Sequence, residues 1–80
     1  MKPTKYLILL NDKGEEIPVL FDSRLSHKDV ATKMGMKVVS AGAFIVISGY
    51  ATGGGGSMTL NIMDSREQDM DIIRKLIGAK

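Results

Sequence analysis

The sequence predicts an α+β domain in the order ββαββα: a four-stranded antiparallel sheet with two helices packed on one face. Two observations carry this. Short apolar runs of strand character come in two pairs, Tyr6–Leu10 with Ile17–Phe21 and Lys37–Ser48 with Met58–Ile62. Each pair is followed by a segment that opens on a serine, ends on a glycine and carries apolar residues at helical spacing. Tight hairpins mixed with helices point to an antiparallel sheet with its helices segregated. The 80 residues read as one domain, 1–80, near the lower size limit for a chain folding alone.

The first strand, Tyr6–Leu10, is closed by the turn cluster Asn11-Asp12-Lys13-Gly14. In the second, Ile17, Val19 and Phe21 share one face and Pro18 and Leu20 the other; Pro18 places this strand at a sheet edge. The first helix spans Ser26 to Met34, with Ser26 as N-cap, Asp29 three residues on, Val30, Ala31 and Met34 inward, and Gly35 as the stop. The third strand, Lys37–Ser48, carries four small residues, Ser40-Ala41-Gly42-Ala43, which mark a bulge, a bend or a close approach. A long glycine loop then leads to Met58–Ile62, which alternates with Met58, Leu60 and Ile62 inward. The last helix spans Ser65 to Ile77, opened by a Ser65-x-x-Gln68 capping box, striped by Met70, Ile72, Ile73, Leu76 and Ile77, and ended by Gly78. The two halves share this plan without otherwise aligning, which common capping rules explain.

Composition narrows the function classes. There is no cysteine and one histidine, His27, so disulfides, thiolate sites and zinc chemistry lack their residues. Eleven basic residues against nine acidic ones, interspersed, give a net charge of +2 and no nucleic-acid signature. No run approaches a membrane span or a secretion signal, so a soluble, cytoplasmic protein is expected. Without a nucleophile–base pair, metal cluster or cofactor fingerprint, the expectation is a protein with no cofactor and no enzymatic activity.

With both helices on one face, the runs Leu7–Leu10 and Phe44–Ile47, apolar on both parities, would expose a patch on the other. This predicts a homodimer or larger assembly.

The segment Gly53-Gly54-Gly55-Gly56-Ser57 has several readings: a mobile hairpin tip, an anion cradle of backbone N–H groups, or a loop gripping a partner. It lacks the Lys-Ser/Thr ending of a P-loop, and a strand follows it. Its letters also match a synthetic linker followed by an initiator Met58, but Met58–Ile62 reads as the natural partner of Phe44–Ile47, which favours a native loop. His27, at the first helical position, reads as a partly exposed packing residue. Asp69 falls at the centre of the last helix's apolar stripe with Arg66 on the same side. The pair either sits at the rim of the core or flanks a polar pocket reached by Ser40 and the glycine loop. Met34, Met58 and Met70 fit the core pattern; Met36 and Met63 stay open.

Val38-Val39-Ser40-Ala41-Gly42, Gly56-Ser57-Met58-Thr59-Leu60 and Ser65-Arg66-Glu67-Gln68-Asp69, with Ser26-His27-Lys28-Asp29-Val30-Ala31 and Met34 upstream, make a pattern covering about two-thirds of the chain. It resembles small proteins of unknown function carried by tailed phages and prophages. The resemblance implies an accessory product acting in the host cytoplasm, a class that includes inhibitors of host defence; it transfers no activity and no site. Two functions follow. The first is a binding protein that occludes or sequesters a host partner, using Arg24, Lys28, Tyr50 and the glycine loop. The alternative is a small-molecule site for a nucleotide-like anion. There Gly53–Ser57 and Arg66 hold phosphate, Ser40-Ala41-Gly42 admits the ligand and Asp69 steadies Arg66, against the repulsion of Asp64, Glu67 and Asp69.

Overall fold

The elements follow one another as β1 (Thr4–Leu10), β2 (Glu16–Asp22), α1 (His27–Met34), β3 (Lys37–Ile47), β4 (Tyr50–Gly54) and α2 (Glu67–Ile77). The computed structural model describes residues 3–54 and 66–80. Every strand pairing is antiparallel and the sheet order is β2-β1-β3-β4. The α+β class, the four-stranded antiparallel sheet and the ββαββα order are those the sequence predicts.

The first hairpin is built by Asn11. Its Oδ1 accepts the backbone N–H groups of Lys13 at 3.0 Å and Glu15 at 2.8 Å, folding the turn onto its own side chain. β2 lies at the sheet edge, and Pro18, opposite Ile8, is tolerated there because an edge strand has one side without ladder bonds.

The helices do not share a face of the sheet; this corrects the expected packing. Leu7, Leu9 and Ala41 pack with Val19, Phe21, and with Val30 and Ala31 of α1. Tyr6, Ile8, Phe44 and Ala51 pack with Met70 and Ile73 of α2. Alternate residues of a strand point to opposite faces, so α1 and α2 cover opposite sides. A central strand apolar on both parities is thus a strand covered twice, not one covered face and one bare face. Tyr6, Leu7, Ile8 and Leu9 are all fully buried within one chain, which removes the ground on which β1 was expected to drive self-association.

A second correction concerns the β3–β4 hairpin. The connection is the two-residue turn Ser48-Gly49, between the paired residues Ile47 and Tyr50, with φ of 51° and 83°. Positive φ at both positions gives the backbone twist that two-residue hairpins require, and glycine takes the second position without strain. The glycine run is therefore not the hairpin tip: Gly53 and Gly54 lie within β4, opposite Phe44 and Ala43. Gly55, Gly56, Ser57, Met58–Ile62 and Met63 lie outside the described residues.

The small run in β3 adjoins a bulge rather than forming one. The register shifts between Ile8, opposite Ser40, and Leu9, opposite Val38, which leaves Val39 as the extra residue of a bulge. Ser40, Ala41 and Gly42 are buried where the helices approach both faces.

α1 is capped as expected: Ser26 Oγ accepts the Asp29 N–H at 3.0 Å, and Gly35 ends the helix. His27 departs from its expected exposure, being 6% exposed, edge-on to the Phe21 ring with centroids 5.3 Å apart. Met34, the last residue of the eight-residue helix, is exposed rather than core; Met36 takes the inward place. The N-cap of α2 is Arg66 rather than Ser65, and Asp69, at N3, accepts the Arg66 N–H at 3.3 Å. Of the α2 stripe, Met70 and Ile73 are buried and Ile72 packs beside them, while Leu76 and Ile77 are exposed.

The chain ends against β4. The Lys80 N–H donates to the Gly49 carbonyl at 2.8 Å, and the Ala51 N–H donates to the Lys80 carbonyl at 2.9 Å. Arg74 adds two guanidinium donors to the Ala51 carbonyl, at 3.2 and 2.9 Å. The outer edge of β4 is thereby covered along Gly49–Ala51.

Candidate functional site

Two places merit consideration, one buried and one open. The buried one is centred on Asp69, which the helix geometry turns toward the sheet and which is 0% exposed. Its carboxylate accepts the Tyr6 hydroxyl at 3.0 Å, the Ser40 hydroxyl, the Arg66 Nε at 2.9 Å and the Arg66 backbone N–H at 3.3 Å. Tyr6 and Ser40 belong to the parity of β1 and β3 that faces α2, and the position near the helix N-terminus favours a negative charge. Arg66 continues outward to Glu16, with donors at 3.2 and 2.8 Å. The hydrogen bond from Arg66, aided by its charge, holds the Glu16 carboxyl below the usual carboxylate range, while partial desolvation opposes it. Arg66 is correspondingly raised, chiefly by its hydrogen bond to Glu16.

One of the two sequence readings brought Ser40 and the glycine loop to Arg66 and Asp69 around a polar pocket; the structure joins Ser40, Arg66 and Asp69 by direct hydrogen bonds instead. It places Asp69 inside the core rather than at its rim, and adds Tyr6 and Glu16, which no local spacing signals. This network is closed: no buried side-chain nitrogen or oxygen among the described residues lacks a partner. Ser40 and Asp69 are both buried, so neither meets a solvent-borne substrate. His27 lies across the sheet on the α1 side, its Nε2 donating to the Gly42 carbonyl at 2.9 Å, and forms no relay with Ser40 and Asp69.

The anion constellation is brought together only in part. The guanidinium of Arg66 is committed to two carboxylates. Gly53 lies in the β3–β4 ladder, where an added Cβ would fall within 2.5 Å of Phe44 Cα and collide with the Ala43 carbonyl. That close approach to the neighbouring strand accounts for glycine at this position. Asp64 lies outside the described residues.

The open place is on the α1 side. A helix of eight residues is about 12 Å long and an eleven-residue strand about 36 Å, so α1 covers only the first half of β3. Beyond it, Ala43, Ile45 and Ile47 share a face with Thr52 and Tyr50, their neighbours on β4. Ile47 is 53% and Tyr50 59% exposed. Beside them a shallow depression of about 350 Å³ is lined by Pro3, Ala43, Phe44, Ile45, Thr52 and Gly53. Of the candidate contact residues, Tyr50 stands on this face, Lys28 is exposed in the first turn of α1, and Arg24 is exposed while bonded to Asp22 at 3.1 Å.

Among the described residues there is no cluster of His, Asp or Glu able to hold a metal ion, and no helix is long and apolar enough to cross a membrane. No protein-family model, curated protein or solved structure matches the chain.

Proposed function

We propose that this chain is a non-catalytic binding protein that occludes or sequesters a protein partner through the open half of its sheet. One observation supports the reading: among the described residues every buried side-chain nitrogen and oxygen has a partner, whereas Ile47 and Tyr50, two large side chains, stand exposed together on a part of the sheet that neither described helix covers. Exposed aromatic side chains in apolar surroundings are the residues that dominate protein–protein binding energy. The resemblance to phage accessory proteins supplies the partner class, a host protein met in the host cytoplasm. The anion-binding alternative loses support because the single positive charge of Arg66 is already engaged by two carboxylates, Glu16 and Asp69.

The test is differential capture from bacterial lysate. Immobilised wild-type protein and a Leu76→Ala control, changed on exposed α2, should retain one stoichiometric protein that Ile47→Asp and Tyr50→Ser lose. Equal retention by all four would sink the reading, provided circular dichroism shows each variant folded.

A further inference from the structure

We propose that Pro18 is a guard residue: it keeps the outer edge of β2 from pairing with the β2 of a second copy, and without it the chain joins edge to edge. The direction in which each backbone group of β2 points follows from one bond. The Asn11 N–H donates to the Glu15 carbonyl at 3.0 Å, which makes those two a bonded pair. Bonded and unbonded pairs alternate along an antiparallel ladder, so Leu9 with Ile17, Leu7 with Val19 and Lys5 with Phe21 are bonded as well. The other side of β1 agrees. Ile47 and Tyr50 close their two-residue turn as a bonded pair, which turns Phe44 and Gly42 toward Thr4 and Tyr6 and leaves Lys5 and Leu7 for β2. The backbone groups of Glu16, Pro18, Leu20 and Asp22 therefore point outward. Pro18 carries a ring carbon where its neighbours carry an N–H. The Asp22 carbonyl is taken by the Leu25 N–H at 3.0 Å, and among the described residues no other backbone hydrogen bond reaches this edge.

The place of Pro18 along the strand makes it effective. A strand that pairs with three consecutive outward residues must include Pro18, whether it takes Glu16 to Leu20 or Pro18 to Asp22. There it loses a bond, and its carbonyl meets the ring. A strand that avoids Pro18 finds only Leu20 and the Asp22 N–H, too short a ladder to hold. The segment also needs a guard. Ile17-Pro18-Val19-Leu20-Phe21 is apolar and uncharged, and apart from its proline it has the composition of a strand that adds to copies of itself. Charge stands only at its two ends, on Glu16 and Asp22. The opposite edge of the sheet is occupied along Gly49–Ala51 by Lys80 and Arg74. A second copy is the occupant this edge fits: two β2 strands laid antiparallel about a two-fold axis at position 18 set Glu16 of each against Leu20 of the other. With proline at the axis two rings meet; with an N–H there the ladder closes.

Pro18→Val restores the N–H and keeps an apolar side chain opposite Ile8. Sedimentation and amide exchange on the full chain, at about 10 and about 500 µM, read its effect. Pro18→Val should dimerise at the higher concentration, and its Leu20 amide should exchange at least about tenfold more slowly there than at the lower one. The wild type should gain no protection at Leu20. Pro18→Ala, with the same N–H and less bulk, should follow Pro18→Val, so that a misfolded Pro18→Val does not decide the matter. Thr4→Val raises strand propensity on β1, where both sides are already paired, and should behave as the wild type. Proline variants whose Leu20 amide exchanges alike at both concentrations would overturn the proposal, as would a wild-type chain that gains protection at Leu20 on concentration. Equal association by Pro18→Val and Thr4→Val would also overturn it, since strand propensity and not the restored N–H would then be the cause.

Discussion

The Tyr6 hydroxyl donates to the Asp69 carboxylate at 3.0 Å across 63 residues of sequence, and both residues are fully buried. This bond ties the central strand β1 to the first turn of α2. Because Ser40 of β3 donates to the same carboxylate, one acidic side chain fixes the helix against two neighbouring strands. Two hydroxyls and the guanidinium of Arg66 would lose a partner together if Asp69 were removed.

Asp69→Ala should therefore destabilise the fold by about 2–4 kcal/mol, since the buried Tyr6 and Ser40 hydroxyls both lose their charged acceptor while Arg66 keeps Glu16. Tyr6→Phe, which removes one donor to a charged acceptor, should cost about 1.5 kcal/mol. Urea denaturation followed by circular dichroism measures both. Similar small losses in the two variants would show that the network contributes little.

Acid should weaken the fold in part through Glu16. Its folded value lies below the ordinary 4.5 because Arg66 donates to it. The unfolded chain therefore takes up this proton first as pH falls. The stabilisation is fully present above the ordinary value and is lost as pH drops through the lowered folded value. Glu16→Gln should show a smaller drop in urea midpoint between pH 7 and pH 3 than the wild type. An unchanged difference would remove Glu16 from the acid response.

Gly53→Ala should destabilise the β3–β4 pairing by about 1–3 kcal/mol, as overpacking does, because the new methyl meets the backbone of Ala43 and Phe44. Amide exchange at Ile45 and Val46 should quicken more than exchange at Leu7. A neutral substitution would show that the strands separate there without penalty.

Ser48→Asn should stabilise the protein by about 0.5 kcal/mol, since asparagine tolerates the left-handed conformation that Ser48 adopts at φ 51° and Asn-Gly is a preferred two-residue hairpin turn. Thermal denaturation reads the shift. A lower midpoint would mean that the Ser48 hydroxyl holds the turn in some other way.

What the sequence by itself determined was local. Ser26 and Gly35 set the ends of α1 because capping satisfies backbone groups within one turn. Pro18 set the edge strand because its missing donor excludes a central one. Asp69 announced itself as a polar residue inside an apolar stripe, with Arg66 one turn earlier. The face each helix covers was decided only in three dimensions: an all-apolar strand is compatible with two helices on opposite sides or with one helix layer and a partner, and β1 became a doubly covered strand because α1 and α2 chose opposite sides. The Ser48-Gly49 turn was outweighed in the sequence by the longer glycine run, since glycine marks both turns and close strand contacts. Tyr6 and Glu16 join Asp69 and Arg66 across 63 and 50 residues, a distance over which no spacing rule operates and only the packed fold brings charges and donors together.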